Sequence, residues 1–188
     1  MKVELKVNDK SVQAEISEGQ LKELGLVEQL KKLGLLEDKP RTGYEGREEC
    51  NNKKHYFVNT IDLVIEDENT VLFDQNRYDV GNYYSDKTIA ENNARADRLL
   101  RQLRQWQAQN DEPISVEDWE DNDKDKWCIM YGYGAEELYV NWFYSVRLHN
   151  VIYFKSREKA EEAIEAFRDE LLWYFTEYVQ RLDEVQNG

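Results

Sequence analysis

The chain is poor in the residue types that most often carry chemistry. It has two cysteines and two histidines in 188 residues. Cys50 and Cys128 stand far apart, in no spacing suited to a metal or to a disulfide framework, and read as idle or buried thiols. His55 and His149 fall in no metal-ligand or nucleophile spacing. There is no phosphate-cradling glycine loop and no Gly-x-Ser-x-Gly. Carboxylates are so plentiful that the sequence singles out no acid/base pair. The run Asp121-Asn122-Asp123-Lys124-Asp125 opens like a calcium loop. Such a loop needs Gly at its sixth position and Glu at its twelfth, where this chain has Lys126 and Gly132. The expectation is a protein that is not an enzyme, with no catalytic residue, no metal ligand and no cofactor.

Long apolar runs are missing too. No stretch approaches the roughly 20 apolar residues that span a bilayer, and Met1-Lys2-Val3-Glu4 has no apolar signal core. A soluble, intracellular protein without a membrane partner is expected. Positive charge is also scarce: 25 Lys and Arg against 39 Asp and Glu leave a net charge of −14. That disfavours direct binding to a nucleic-acid backbone, which needs clustered cations to displace counterions. It fits either a solvated acidic surface or one that attracts a basic partner.

What is present is an aromatic, amphipathic chain with five Trp, twelve Tyr and six Phe. Its clearest element is a last long helix from Ser156 to about Leu182. Ala160, Ile164, Phe167, Leu171, Tyr174, Tyr178 and Leu182 recur at three- and four-residue steps on one face. Ser156 stands at its N-cap, and Glu158, Glu161 and Glu162 complement the dipole of its first turns. A similar unit precedes it. Tyr83-Tyr84-Ser85-Asp86-Lys87-Thr88-Ile89-Ala90-Glu91 aligns with Tyr153-Phe154-Lys155-Ser156-Arg157-Glu158-Lys159-Ala160-Glu161. In each, an aromatic pair ends a strand, then come a capping residue, a basic residue and Ala-Glu. The first copy continues as a helix to about Gln107, with Ile89, Ala96, Leu99, Leu100, Leu103 and Trp106 inward. β-rich sequence precedes both helices, so two tandem strand-strand-helix half-repeats are expected, at 55–110 and 126–184.

The fold expected is α+β. Residues 1–37 form an N-terminal hairpin-helix module: alternation over 2–16 with a turn at Asn8-Asp9 gives the hairpin. Ser17 and Gln20 then open short helices that break near Gly25 and end near Gly34. Residues 38–54, with Pro40, Gly43 and Gly46, read as a linker in which Tyr44 is the one anchoring candidate. Residues 55–188 form a main domain of antiparallel strands packed on two long amphipathic helices. Its strands are expected at Tyr56–Val58, Leu63–Ile65, Val71–Phe73, Tyr78–Tyr84, Trp127–Tyr133 and Leu138–Leu148. Turns are expected at 67–69 and 74–76, and a bulge or close backbone approach at Gly81.

Three features bear on binding. Arg95, Arg98, Arg101 and Arg104 recur every three residues, a rotation of about 300° per step, so they spiral around the helix as a solvated face rather than a phosphate-binding ridge. Tyr139, Trp142 and Tyr144 could stack bases, but their acidic surroundings favour core packing. Leu171-Leu172-Trp173-Tyr174-Phe175 is apolar on more than one face. A homodimer interface through Leu172, Trp173 and Phe175 is therefore expected.

The order of segments resembles a group of small proteins encoded by phages and prophages of Gram-positive bacteria. The resemblance is carried by Leu21-Lys22-Glu23-Leu24, Arg41-Thr42-Gly43-Tyr44-Glu45, His55-Tyr56-Phe57-Val58-Asn59, Asn76-Arg77-Tyr78-Asp79-Val80-Gly81-Asn82-Tyr83-Tyr84 and Ile152-Tyr153-Phe154-Lys155-Ser156. It departs at Asp86-Lys87-Thr88-Ile89-Ala90-Glu91, where the group usually has Thr-x-Glu-Glu-Ala-Glu. These motifs cap helices and fill a core. The resemblance implies a phage protein acting in the cytoplasm of an infected bacterium, as a non-catalytic inhibitor of a host defence or nucleic-acid-handling protein. An anti-CRISPR inhibitor of a type II effector nuclease is the leading form. The alternatives are an accessory nucleic-acid-binding protein and a phage structural or assembly protein. In the inhibitor reading the partner is a nuclease with a basic groove. The residues that would meet it are Glu117, Asp118, Glu120, Asp121, Asp123 and Asp125, from the most acidic stretch of the chain.

Overall fold

A computed structural model describes residues 2–7, 10–15, 17–23, 25–33, 41–46, 54–67 and 71–184. The expected turn at Asn8-Asp9, the helix end at Gly34, Cys50 and the turn beyond Asp67 lie outside them. The protein is mixed α/β with antiparallel sheets, and it divides into two compact units, residues 1–40 and 41–188.

In the first unit β1 (Lys2–Val7) pairs with β2 (Lys10–Glu15) in register Lys2↔Glu15 through Val7↔Lys10. Helices α1 (Glu18–Glu23) and α2 (Val27–Lys32) follow. The capping box forms: Gln20 N–H donates to Ser17 Oγ at 3.3 Å and Ser17 N–H to Gln20 Oε1 at 2.9 Å. Gly25 separates the helices at φ 65°, a conformation that costs glycine nothing.

The second unit begins at Arg41, inside the segment expected to be a linker. Residues 41–46 are instead packed structure. Arg41 donates to the Ser85 carbonyl at 3.1 Å, and Ser85 N–H donates to the Gly43 carbonyl at 2.8 Å. The Tyr44 ring lies 5.2 Å from the Tyr84 ring. Gly43 sits at φ 92°, and a Cβ there would come within 2.8 Å of Ile89. Glu45 fastens this strap. Its carboxylate accepts from the Thr42 amide and hydroxyl, the Gly43 amide and the Ser85 hydroxyl.

β3 (His55–Val58) and β4 (Val64–Asp67) form the next hairpin. The expected strand at Val71–Phe73, the turn at 74–76 and the start of the strand at Tyr78 are instead one helix, α3 (Val71–Asp79). Short apolar runs do not distinguish strand from helix. Here Gln75 donates to Asp79 at 2.7 Å and Arg77 pairs with Asp74 at 3.8 Å, contacts of helical spacing. Gly81 is a helix C-cap, not a bulge. At φ 72° it donates to the Tyr78 carbonyl at 3.0 Å, while Asn82 N–H donates to the Arg77 carbonyl at 2.8 Å. The Asn82 side chain then pairs with both backbone groups of Val58, each at 2.8 Å. Tyr84 bridges to Tyr56 on β3.

Asp86 caps α4 (Lys87–Asn110) by accepting from the Thr88 and Ile89 amides. After a short α5 (Val116–Glu120), a three-stranded antiparallel sheet has the order β6-β5-β7, with β5 (Lys126–Gly132), β6 (Glu137–Phe143) and β7 (Tyr153–Phe154). The strand expected to run to Leu148 stops at Phe143. Ser156 caps α6 (Arg157–Thr176), which bends at Phe167 and ends six residues before the expected Leu182. Tyr178 and Leu182 leave the helix yet stay packed. The Tyr178 hydroxyl donates to Asn93 at 2.8 Å, and Leu182 N–H donates to the Thr42 carbonyl at 2.9 Å.

Two apolar cores result. Leu99 and Leu103 of α4 meet Phe154 and Ala160, Ala163, Ile164 and Leu171 of α6, under Trp127, Ile129, Leu138 and Val140 of the sheet. Tyr84, Ile89 and Ala90 gather Tyr44, Tyr56, Val58, Val64, Val179 and Leu182.

Candidate functional site

The acidic stretch is a shaped element rather than a loose tail. Ser115 and Asp118 form a reciprocal capping box at the start of α5, with Asp118 N–H donating to Ser115 Oγ at 3.1 Å and Ser115 N–H to Asp118 Oδ2 at 3.0 Å. Lys124 folds back on the same carboxylate at 2.7 Å and lies 3.7 Å from Asp121. The Lys124 ammonium and the Ser115 amide hold the Asp118 carboxyl down, at about 2. Asp121 also accepts from the Asp123 amide at 2.9 Å. Upstream, Asp111 accepts from the Lys155 amide at 2.8 Å, and Glu112 pairs with the Lys155 ammonium at 2.9 Å.

A buried lysine joins this acidic turn to the segment after β6. Lys126 is 1% exposed. Its ammonium donates to the Asp121 carbonyl at 2.8 Å and to the Tyr144 carbonyl at 2.5 Å, 5.7 Å from the centre of the Trp119 ring. A buried ammonium is costly unless its protons are satisfied, so the two carbonyls are held together across it. Trp119 and Tyr153 add a second tie. Their rings meet edge to face at 5.0 Å, and Arg147 lies over Trp119 at 5.5 Å. The Tyr153 hydroxyl accepts from the Leu148 amide at 2.9 Å and donates to the Val146 carbonyl at 3.4 Å.

The result is an acidic turn tied through its backbone to the segment after β6, and both expose side chains. Glu117, Glu120 and Asp123 are exposed. So are Val116 at 69%, Trp142 at 44% and Tyr144 at 51%, with Val146 and Leu148. Exposed apolar side chains close to carboxylates are features that protein-binding surfaces use. Two depressions on the second unit are small. One of about 200 Å³ is lined by Ile114, Asp118, Lys124, Asp125, Lys126, Trp127 and Lys155, and one of about 280 Å³ lies beside Asp62 and Arg98. Both fall below the roughly 300 Å³ where drug-sized sites begin. Among the described residues, no three His, Cys, Asp or Glu side chains gather as a metal site, and no helix is long and apolar enough to cross a membrane.

Several sequence expectations change here. Of the six acids singled out, Glu117, Glu120 and Asp123 are exposed, and hydrogen bonds from its own amide and the Ser115 hydroxyl hold the Glu117 carboxyl below the usual range. Asp118 and Asp121 are engaged within the turn, and Asp125 is half-buried beside Lys126. Tyr139, Trp142 and Tyr144 are exposed rather than packed in the core. β6 is an edge strand. Trp127, across from Trp142, takes the place over the helices, and Tyr139 lies on the opposite face of the sheet. Trp173 is 8% exposed and is no free interface residue. The Arg95 guanidinium covers its ring at 3.9 Å while pairing bidentately with Glu170 at 2.8 and 3.0 Å, and Tyr178 lies 5.6 Å away. Phe175 stacks on Tyr131 at 5.9 Å, and Leu172 is half-buried. The end of α6 is apolar on several faces because α4 and the sheet both pack on it. Three of the four α4 arginines pair within the same chain: Arg95 with Glu170, and Arg98 and Arg101 with Asp62 at 3.4 and 2.6 Å.

No protein family, no curated protein and no solved structure matches the chain.

Proposed function

We propose that this protein is a non-catalytic binding protein that inhibits a basic-grooved host protein, with a type II CRISPR effector nuclease as the leading target. In this reading it acts in the cytoplasm of an infected bacterium. One observation carries it: Lys126 pins the acidic turn of α5 to the Tyr144 carbonyl, so that the turn carrying the exposed Glu117, Glu120 and Asp123 is held against the segment that exposes Tyr144 and Val146. Exposed aromatics supply binding energy at a desolvated centre, and the carboxylates supply attraction to cations. The second unit reads as two tandem copies. β3–β4 with Tyr84 bridged to β3, the Asp86 cap and α4 correspond to β5–β6 with Phe154 paired to β5, the Ser156 cap and α6. The acidic turn and the exposed aromatics of β6 and the segment after it belong to the second copy.

A nucleic-acid cleavage assay with a type II effector nuclease tests the proposal. The parent chain is expected to inhibit, less strongly as salt rises. Glu117→Gln with Glu120→Gln and Asp123→Asn is expected to weaken inhibition roughly ten-fold or more, with the chain still folded by circular dichroism. Asp118 and Asp121 are left out because neutralising them would disturb the turn itself. Full cleavage in the presence of the parent chain, or inhibition that the triple variant retains, overturns the reading.

A further inference from the structure

The three-stranded sheet ends on one side in a long strand with no described strand paired on its outer edge. Among the described residues β6 pairs only with β5, in seven consecutive register positions from Lys126↔Phe143 to Gly132↔Glu137, so no bulge interrupts it. Alternate residues of such a strand point their amides and carbonyls away from the sheet. Soluble proteins usually protect a strand like this with lysine, proline, a bulge or a covering element. Glu-Leu-Tyr-Val-Asn-Trp-Phe contains none of the first three, and its one charge is Glu137 at the end. The elements β6 packs on, β5 and α6, lie beside it and on one face. Tyr139 and Trp142 remain 40% and 44% exposed.

We infer that β6 pairs antiparallel with β6 of a second copy, about a two-fold axis at Val140, to make a continuous six-stranded sheet. The strand is self-complementary in that register. Val140 meets Val140, Leu138 meets Trp142, Tyr139 meets Asn141, and Glu137 meets Phe143. No charge faces a like charge. The two Glu137 residues lie about 20 Å apart, six steps of about 3.4 Å. Paired residues share a face, so Leu138, Val140 and Trp142 of both copies extend the helix side of the sheet. α6 packs on both β5 and β6. The axis therefore sets α6 beside its copy at about two strand spacings, close to 10 Å, the distance at which helices pack. A different extended partner would lack this built-in match of apolar with apolar and end charge with neutral.

The seam does not rest on the partner-binding reading, although both use Trp142, and salt separates the two. Each copy carries −14, so screening favours self-association while it weakens capture of a basic partner. The test is sedimentation equilibrium of the full chain from low micromolar to several hundred micromolar, at low and high salt. A dimer is expected, twice the 22.5 kDa chain mass, tighter at high salt. Tyr139→Lys with Trp142→Lys should weaken it at least ten-fold. Trp142→Lys alone, the milder change, should weaken it less, and circular dichroism should report both variants folded. Hydrogen exchange should show alternate β6 amides becoming protected as concentration rises. A monomer throughout, or a dimer that the lysine variants leave intact, overturns the inference.

Discussion

Glu45 shows how one side chain can hold a segment that composition alone marks as a connector. Burial acts to raise its pKa, but hydrogen bonds from the Ser85 hydroxyl and the Thr42 amide and hydroxyl outweigh that and bring it from 4.5 to about 2. A folded-state pKa below the unfolded one stabilises the protein fully above about pH 4.5, and that stabilisation fades as pH falls towards 2. Glu45→Gln should therefore cost about 1–3 kcal/mol near neutrality. The gap from the parent should shrink as urea denaturation is repeated at falling pH, and a gap of equal size at pH 7 and pH 2.5 would contradict this account. Gly43 is the companion case. Gly43→Ala must hold a side chain at φ 92° against Ile89, and a loss of about 1–3 kcal/mol in the same assay is expected. Trp173→Ala removes a buried ring from between Arg95 and Tyr178. It should lower stability by about 3–5 kcal/mol, measured by thermal or urea unfolding, because this ring is core and not docking surface.

Among the elements, helix starts were the most legible part of the sequence. Ser17, Asp86, Ser115 and Ser156 each stand where a free backbone amide needs an acceptor, and each accepts one. Elements set by tertiary contacts were not legible. Val71-Leu72-Phe73 is too short to declare its period, and the Gly81 cap that ends α3 looks in sequence like a strand glycine. Tyr144, Val146 and Leu148 keep a strand's alternation, but Lys126 and Tyr153 take backbone carbonyls and an amide there that a ladder would need. The acidic site was legible as composition. Which of its carboxylates are occupied was not, since Asp118 is claimed by Lys124, six residues on, and by the amide of Ser115. Lys126→Met tests how the site is held. It leaves the carbonyls of Asp121 and Tyr144 without their shared donor, at a cost of about 1–3 kcal/mol. Hydrogen exchange around 119–123 and 144–148 should accelerate together, while exchange in α4 stays as in the parent.

At the scale of the molecule, the division at residue 40 leaves both apolar cores, the acidic turn and the exposed aromatics of β6 in the second unit. The two ends of its three-stranded sheet are unequal. β6 offers seven residues at one end. β7 offers two at the other, followed after two residues by α6. In the language of polymers, this sheet is monofunctional: a joined pair has used both reactive ends and presents only two short stubs. Chain growth then terminates at the first step, so an exposed, aromatic strand of a kind that feeds fibre formation in other settings would here yield a discrete particle instead.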